Sequence, residues 1–86
     1  MSVKSSTLQK TFSFSLRYTG LDDLTEAMVD AFFEAGCDDA TLGFQEGLIF
    51  LDFHREAPSF KDALLSAIED VERSAVPIRL VRVEPI

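Results

Sequence analysis

The stretch Gly47-Leu48-Ile49-Phe50-Leu51-Asp52-Phe53-His54 decides the fold of this chain. Five of its eight residues are large and apolar, and the run begins at a glycine. A short run with apolar side chains on both faces is typical of a strand near the middle of a sheet. We therefore expect a central strand here, with helical segments from either side of it covering one face of the sheet.

A second strand is predicted upstream of this stretch, over residues 11–18. Aromatic and apolar residues alternate there with serines and an arginine, which is the pattern of a strand with one buried face. Residues 1–10 are polar and without period, and we interpret them as a flexible tail. The single folded domain is then residues 11–86.

Two amphipathic helices are predicted, one on each side of a β-hairpin. The first is capped by Asp22 or Asp23 and ends at Gly36, a residue suited to a positive φ. Glu26 stands three residues after Asp23, in the spacing of a capping box. The second helix begins after the N-cap Ser59.

The predicted elements follow the order β-α-β-β-α-β. A weaker strand over residues 38–44 forms the hairpin with the opening run, and a last strand spans residues 78–83. Right-handed crossovers place both helices on one face of the sheet. We expect an α+β, ferredoxin-like sandwich: a four-stranded antiparallel sheet in the order 4-1-3-2, with two helices on one face.

Composition limits the function of the chain. It has 86 residues, a formal net charge of −7, one cysteine and one histidine. The negative charge disfavours direct binding to nucleic acid or to an anionic membrane, because Lys and Arg carry the affinity for phosphate. A lone cysteine excludes an intramolecular disulfide, and no apolar run is long enough to span a bilayer. We expect a cytoplasmic protein with no cofactor and no metal site.

The open face, which is the sheet face without helices, is the first candidate for a functional surface. Its candidate partner surface consists of five residues from the first and third strands: Ser13, Ser15, Arg17, Leu48 and Phe50. The open face should also present Asp52 and His54 of the third strand, with Thr41 and Gly43 of the second. Two large apolar side chains among small polar ones form a shallow patch, which is typical of a partner or self-association surface. The alternative is a single exposed phenylalanine, which needs no explanation. The last strand adds one of two apolar pairs: Ile78 and Leu80, or Val81 and Val83.

The second candidate is a polar cluster of six residues at one end of the sheet: Cys37, Asp38, Asp39, His54, Arg55 and Glu56. A cysteine nucleophile needs an imidazole within hydrogen-bond reach, and a catalytic metal usually needs more than one histidine. Neither condition is evident, so the sequence predicts no enzyme. The alternative is that Arg55 pairs with Asp38 or Asp39. Cys37 is then a packing residue just past a helix C-terminus, where the helix dipole raises the pKa of a thiol.

The segment Thr19–Glu72 resembles the amino-terminal domain of small bacterial regulatory proteins; it reads TGLDDLTEAMVDAFFEAGCDDATLGFQEGLIFLDFHREAPSFKDALLSAIEDVE. In those proteins a helix-turn-helix of the excisionase or MerR type follows the domain, and in this chain it would begin near Val83. The resemblance covers residues 11–84 and rests on residues that determine the fold. It implies a non-enzymatic regulatory or protein-interaction module that supplies dimerisation or sensing as a homodimer or with a protein partner, and it implies no site residues.

A weaker resemblance is to ACT regulatory domains, which share the β-α-β-β-α-β order and bind amino acids between paired copies. The first turn of those domains carries an acidic residue and Pro-Gly before an apolar residue. Here Gly20 and Leu21 match in part, but Thr19 stands at the proline position. This resemblance implies the alternative function, which is the binding of a small ligand such as an amino acid.

Overall fold

The computed structural model describes residues 9–86. The elements are strand β1 (Lys10–Thr19), helix α1 (Glu26–Glu34), strands β2 (Ala40–Gln45) and β3 (Leu48–Ala57), helix α2 (Phe60–Arg73) and strand β4 (Arg79–Pro85). Their order, β-α-β-β-α-β, is the predicted one. Most of the predicted tail lies outside the described residues. Its last residue, Lys10, instead begins β1, where it pairs with Ala57.

The four strands form one antiparallel sheet in the order β2-β3-β1-β4. Counted from the β4 edge, this is the order 4-1-3-2. The stretch Gly47–His54 forms most of β3, which is central together with β1 and runs on to Ala57. Strands β2 and β4 are the two edges of the sheet.

The core lies between the sheet and the two helices. Alternate side chains of the central strands are buried: Phe14, Leu16, Tyr18, Ile49, Leu51 and Phe53. They form one cluster with four helical residues, which are Phe32 of α1 and Ala63, Ala67 and Val71 of α2. Because there is one cluster, both helices pack on the same face of the sheet. Burial of a residue such as Leu51 contributes about 1.5–3 kcal/mol to folding.

Helix α1 begins later than the sequence predicts. Its N-cap is Thr25, whose Oγ1 accepts a hydrogen bond from the backbone N–H of Met28 at 3.3 Å. Asp22 and Asp23 are therefore not caps, and Asp23 Oδ1 instead accepts a hydrogen bond from the next backbone N–H at 2.8 Å. Glu26 is the first helical residue rather than the acid of a capping box. Threonine is itself a favourable N-cap, which explains the shift.

Helix α1 ends where predicted, in a Schellman motif. The N–H of Cys37 donates to the carbonyl oxygen of Phe32 at 2.9 Å, and the N–H of Gly36 donates to that of Phe33 at 3.2 Å. Gly36 has a φ of +113°, a backbone conformation that residues other than glycine rarely adopt. A Cβ atom at Gly36 would lie 2.9 Å from Oδ2 of Asp70, so the end of α1 approaches α2 closely at this glycine.

Strand β4 is an exposed edge that the helices leave uncovered. Six of its seven residues are exposed, and the seventh, Glu84, is half-buried. Three apolar side chains are exposed by 36–46%: Leu80, Val81 and Val83. We call these three residues the β4 edge.

A β-bulge changes the alternation of β4, so both predicted alternations of the last strand are wrong. The pairing with β1 shifts register between Leu80 and Arg82, which leaves Val81 as the extra residue. Leu80 and Val83 then lie opposite core residues of β1, on the helix face. The open face receives Arg82 and Glu84.

Replacement of Gly36 by alanine should lower the free energy of unfolding by about 2–4 kcal/mol, from a positive φ and from the contact with Asp70. Gly47→Ala is the matched control, because Gly47 also has a positive φ but no atom lies within 4 Å of a Cβ built there. That variant should lose about 1–2 kcal/mol. Urea unfolding of both variants measures the difference. Equal losses would mean that the Asp70 carboxylate moves aside without cost.

Candidate functional site

The predicted polar cluster is divided between the two faces of the sheet. Cys37 is fully buried in the core, on the helix side. His54 lies on the open face, where its Nδ1 is 2.7 Å from Oγ of Ser13. Asp38 and Glu56 are exposed. The structure therefore does not bring the thiol and the imidazole together, and a cysteine–histidine pair does not form.

Arg55 is the centre of the polar network that does form, which we call the Arg55 network. Its Nε and Nη2 donate to the two carboxylate oxygens of Asp39 at 2.8 and 2.9 Å, so the predicted pairing with Asp39 is confirmed. Nη1 lies 2.9 Å from Oδ2 of Asp70, and Nη2 also donates to the carbonyl oxygen of Gly36 at 2.8 Å. The guanidinium carbon lies 5.0 Å from the centre of the Phe53 ring.

The Arg55 network has no donor left for a ligand. A guanidinium has five N–H donors, and the fifth bond here runs from Nη1 to Oγ of Ser66 at 3.1 Å. The side chain of Arg55 is only 11% exposed. Its hydrogen bonds to Asp39 are the main cause that raises the pKa of the guanidinium above its ordinary value. The network joins β3 to the end of α1 and to α2. Its role is structural.

Cys37 is a packing residue, as predicted. Burial, and next the nearby carboxylate of Asp70, raise the pKa of its thiol to about 12. The thiol is therefore neutral near pH 7 and acts neither as a nucleophile nor as a metal ligand in that state. Within residues 9–86, no three His, Cys, Asp or Glu side chains are grouped so that they hold a metal ion.

The open face is more polar than predicted, because Arg17 covers its largest apolar side chain. The guanidinium carbon of Arg17 lies 5.3 Å from the ring centre of Phe50. Arg17 also donates from Nε to Oγ of Ser15 at 2.9 Å, and its Nη2 lies 3.4 Å from Oε1 of Glu84. On the other side, the Phe50 ring fills the space over Gly43, where a Cβ would come within 2.2 Å of it.

The remaining residues of the predicted patch are also partly engaged. Leu48 is half-buried, Ser15 is buried, and Ser13 is bound to His54. The five residues do share the open face, as predicted from the alternation of β1 and β3. Leu48 and Phe50 therefore form a small apolar area that is enclosed by the polar contacts of the other three residues. Among the described residues, this part of the sheet has no broad apolar patch.

The β4 edge exposes apolar side chains beside a free strand backbone, a feature that sequence reasoning missed. One side of β4 pairs with β1, and the other side pairs with no strand among residues 9–86. Ile86 follows the strand and is 63% exposed. The sequence does contain a signal for this surface. The order 4-1-3-2 puts the last strand at an edge, so its apolar residues lie beside unpaired N–H and C=O groups.

No family model, curated protein or solved structure matches this chain. The resemblances to bacterial regulatory domains and to ACT domains therefore stay predictions. Within the described part of the chain, neither helix is both long and apolar enough to cross a membrane.

Cys37 should react with iodoacetamide at least about 100-fold more slowly in native buffer at pH 8 than in concentrated urea, because its thiol is buried and neutral. Mass spectrometry over time measures both rates. Rapid alkylation of the native protein would contradict the assignment and restore Cys37 as a candidate nucleophile.

The raised pKa of Cys37 also predicts a pH dependence of stability. The protonated, buried thiol of Cys37 contributes fully to the free energy of unfolding below its unfolded pKa, about 8.5. This contribution is lost as the pH rises from there towards the folded pKa of about 12. Urea unfolding of the wild type should therefore show stability falling above pH 9. Cys37→Ala should flatten that decline, and an unchanged slope would contradict the shift.

Proposed function

We propose that this protein is a non-enzymatic interaction module that forms a homodimer through the free side of β4. The observation that carries the proposal is the exposure of Leu80, Val81 and Val83 along a strand edge that pairs with no strand among residues 9–86. Monomeric proteins usually protect such edges, because unpaired N–H and C=O groups form hydrogen bonds with another chain. A second copy of the chain is the occupant that best fits the residue pattern of β4.

Strand β4 is complementary to itself in one antiparallel register. When Leu80 of one copy lies opposite Val83 of the other, Arg79 lies opposite Glu84. Leu80 and Val83 are both on the helix face, and Arg79 and Glu84 are both on the open face, so the members of each pair can touch. An apolar pair and an opposite-charge pair each contribute about 0.2–1 kcal/mol, and two-fold symmetry makes each pair twice.

The two neighbouring registers are disfavoured, one by charge and one by side-chain orientation. A shift by one residue in one direction places the two copies of Arg82 directly opposite each other, and like charges in that position are destabilising. A shift in the other direction places Leu80, on the helix face, opposite Arg82, on the open face, so these side chains do not touch. Pro85 ends β4 and has no N–H to donate, which limits the pairing to the residues before it. The charges and side-chain orientations of β4 thus favour one register over its two neighbours.

Pairing in this register makes a continuous eight-stranded sheet with all four helices on one face. The open faces of the two copies, each with its Arg17 and Phe50, then form one continuous surface on the other side. We propose this surface for a protein partner. A role in a bacterial transcriptional regulator, with this domain supplying dimerisation, rests on the sequence resemblance alone.

The ACT-like alternative gains no support at the turn that would carry it. A Cβ at Gly20 would lie 3.1 Å from the carbonyl oxygen of Pro77, so the chain before β4 packs directly against this turn. The turn leaves little room for a ligand at the position that the resemblance implies.

Val81→Lys should make the dimer monomeric, because the new ammonium group would lie beside Arg82 of the other copy. We expect the dissociation constant to rise at least tenfold, a change of about 1.4 kcal/mol or more. Phe44→Lys is the matched control, since it adds the same charge at an apolar residue of the opposite edge with similar exposure, 41% against 46%. Sedimentation velocity of the 9.6-kDa chain measures the masses.

Val81→Glu tests the register itself. The carboxylate would lie beside Arg82 of the other copy, so this variant should remain dimeric while Val81→Lys dissociates. A monomeric wild type would contradict the proposal. So would an equal response of the Phe44→Lys and Val81→Lys variants.

A further inference from the structure

Three arginines, out of eight Lys and Arg residues in the chain, meet on the open face where β1 pairs with β4. Arg17 of β1 lies directly opposite Arg82 of β4, and Arg79 is on the same face because it lies opposite Thr19. We call these three residues the arginine group. Like charges in directly opposite positions destabilise a sheet, so the group needs negative charge beside it.

One carboxylate of the chain supplies part of that charge. Oε1 of Glu84 lies 3.4 Å from Nη2 of Arg17, and Oε2 accepts a hydrogen bond from Nε of Arg82. The hydrogen bond with Arg82 is the main cause that lowers the pKa of Glu84 below its ordinary value. Three positive charges therefore stand against one negative charge, which leaves the group with a net charge of +2.

The arginine group keeps N–H donors that the described chain does not use. A guanidinium has five N–H donors. Among residues 9–86, the side chain of Arg82 donates only from Nε and is 47% exposed, and exposed Arg79 forms no ion pair. Two further acids of the open face, Asp52 and Glu56, lie on β3, and within the same residues neither forms an ion pair with the group.

We propose that the arginine group binds an acidic segment of a protein partner through Asp or Glu carboxylates. The group already holds a carboxylate of this kind, because Glu84 directs one oxygen to each of two guanidinium groups. A chain with a net charge of −7 repels a dense polyanion such as nucleic acid. A short acidic segment instead brings about as many charges as the group leaves unpaired.

This inference rests on the proposed function in one respect, which is that the open face is the surface for a protein partner. It does not require the dimer, because all three arginines belong to one chain. In the proposed register, the two-fold axis passes between residues 81 and 82. The arginine groups of two copies would therefore flank that axis and could bind one acidic segment together.

A terminally blocked tetraglutamate peptide is the probe, and the matched peptide of glutamines is its control. Titration of tetraglutamate into the isotope-labelled full chain should give saturable NMR shifts at the amides of β1 and β4, at an ionic strength of about 50 mM where charges are weakly screened. The glutamine peptide should bind at least about fivefold more weakly, because it offers no carboxylate.

The double variant Arg79→Gln, Arg82→Gln should bind tetraglutamate about five- to tenfold more weakly, as expected for the loss of two exposed ion pairs. Lys61→Gln is the matched control, since it removes one exposed positive charge on α2, away from the open face, and should leave the affinity unchanged.

Glu84→Gln gives the sharpest test, because its predicted effect has the opposite sign. Without the carboxylate of Glu84, Arg17 and Arg82 lack their partner within the chain, so tetraglutamate should bind about two- to fivefold more tightly. If Glu84 only held the strands in place, its loss would weaken binding instead.

Sedimentation of the same samples separates this inference from dimerisation. A monomeric wild type that binds tetraglutamate would support the inference while the dimer fails, and a dimer that shows no saturable shifts would overturn the inference alone. Weaker binding in Glu84→Gln would also overturn it. So would tighter binding of a short oligothymidylate, which would assign the group to nucleic acid, or equal binding of inorganic phosphate, which would mean an adventitious ion only.

Discussion

Two helices cover one face of this four-stranded sheet but leave strand β4 exposed, and the rest of the molecule depends on that constraint. The core residues of β1 and β3, such as Leu16 and Leu51, are completely buried beneath α1 and α2. Leu80 and Val83 face the same side from β4, yet each is more than one-third exposed. The uncovered strand is the source of the proposed dimer. Its free side offers a pairing edge.

The Arg55 network fixes the helices in this arrangement. Through Asp70 and Ser66 the guanidinium holds α2 against β3, and through Gly36 it binds the last turn of α1. Loss of Asp39 or Asp70 would leave the largely buried guanidinium with one carboxylate partner instead of two, which destabilises the fold. Because all five N–H donors of Arg55 are used inside the domain, this group of charges stabilises the fold and leaves no guanidinium donor for a partner. Interaction is left to the surfaces that the helices do not cover.

The sequence predicts the elements well, because local chemistry determines them. The alternation of β1, the glycine at position 36 and the N-cap Ser59 all appear as expected. The pairing of Arg55 with Asp39 was also predictable, since the topology brings those chain ends together. The cap of α1 was misplaced because Thr25 and Asp23 are both favourable caps, and only the packed helix selects between them.

The surfaces are harder to predict, since each depends on a tertiary contact. The bulge at Val81 arises from pairing with β1, and the position of Arg17 over Phe50 depends on the sheet register. Hydrogen exchange of the β4 amides at low and high protein concentration tests the central claim most directly. We expect exchange in β4 to slow as the dimer forms, while β2, at the opposite edge, is unaffected. Exchange in β4 that does not change with concentration, or that changes equally in β2, would contradict dimerisation through β4.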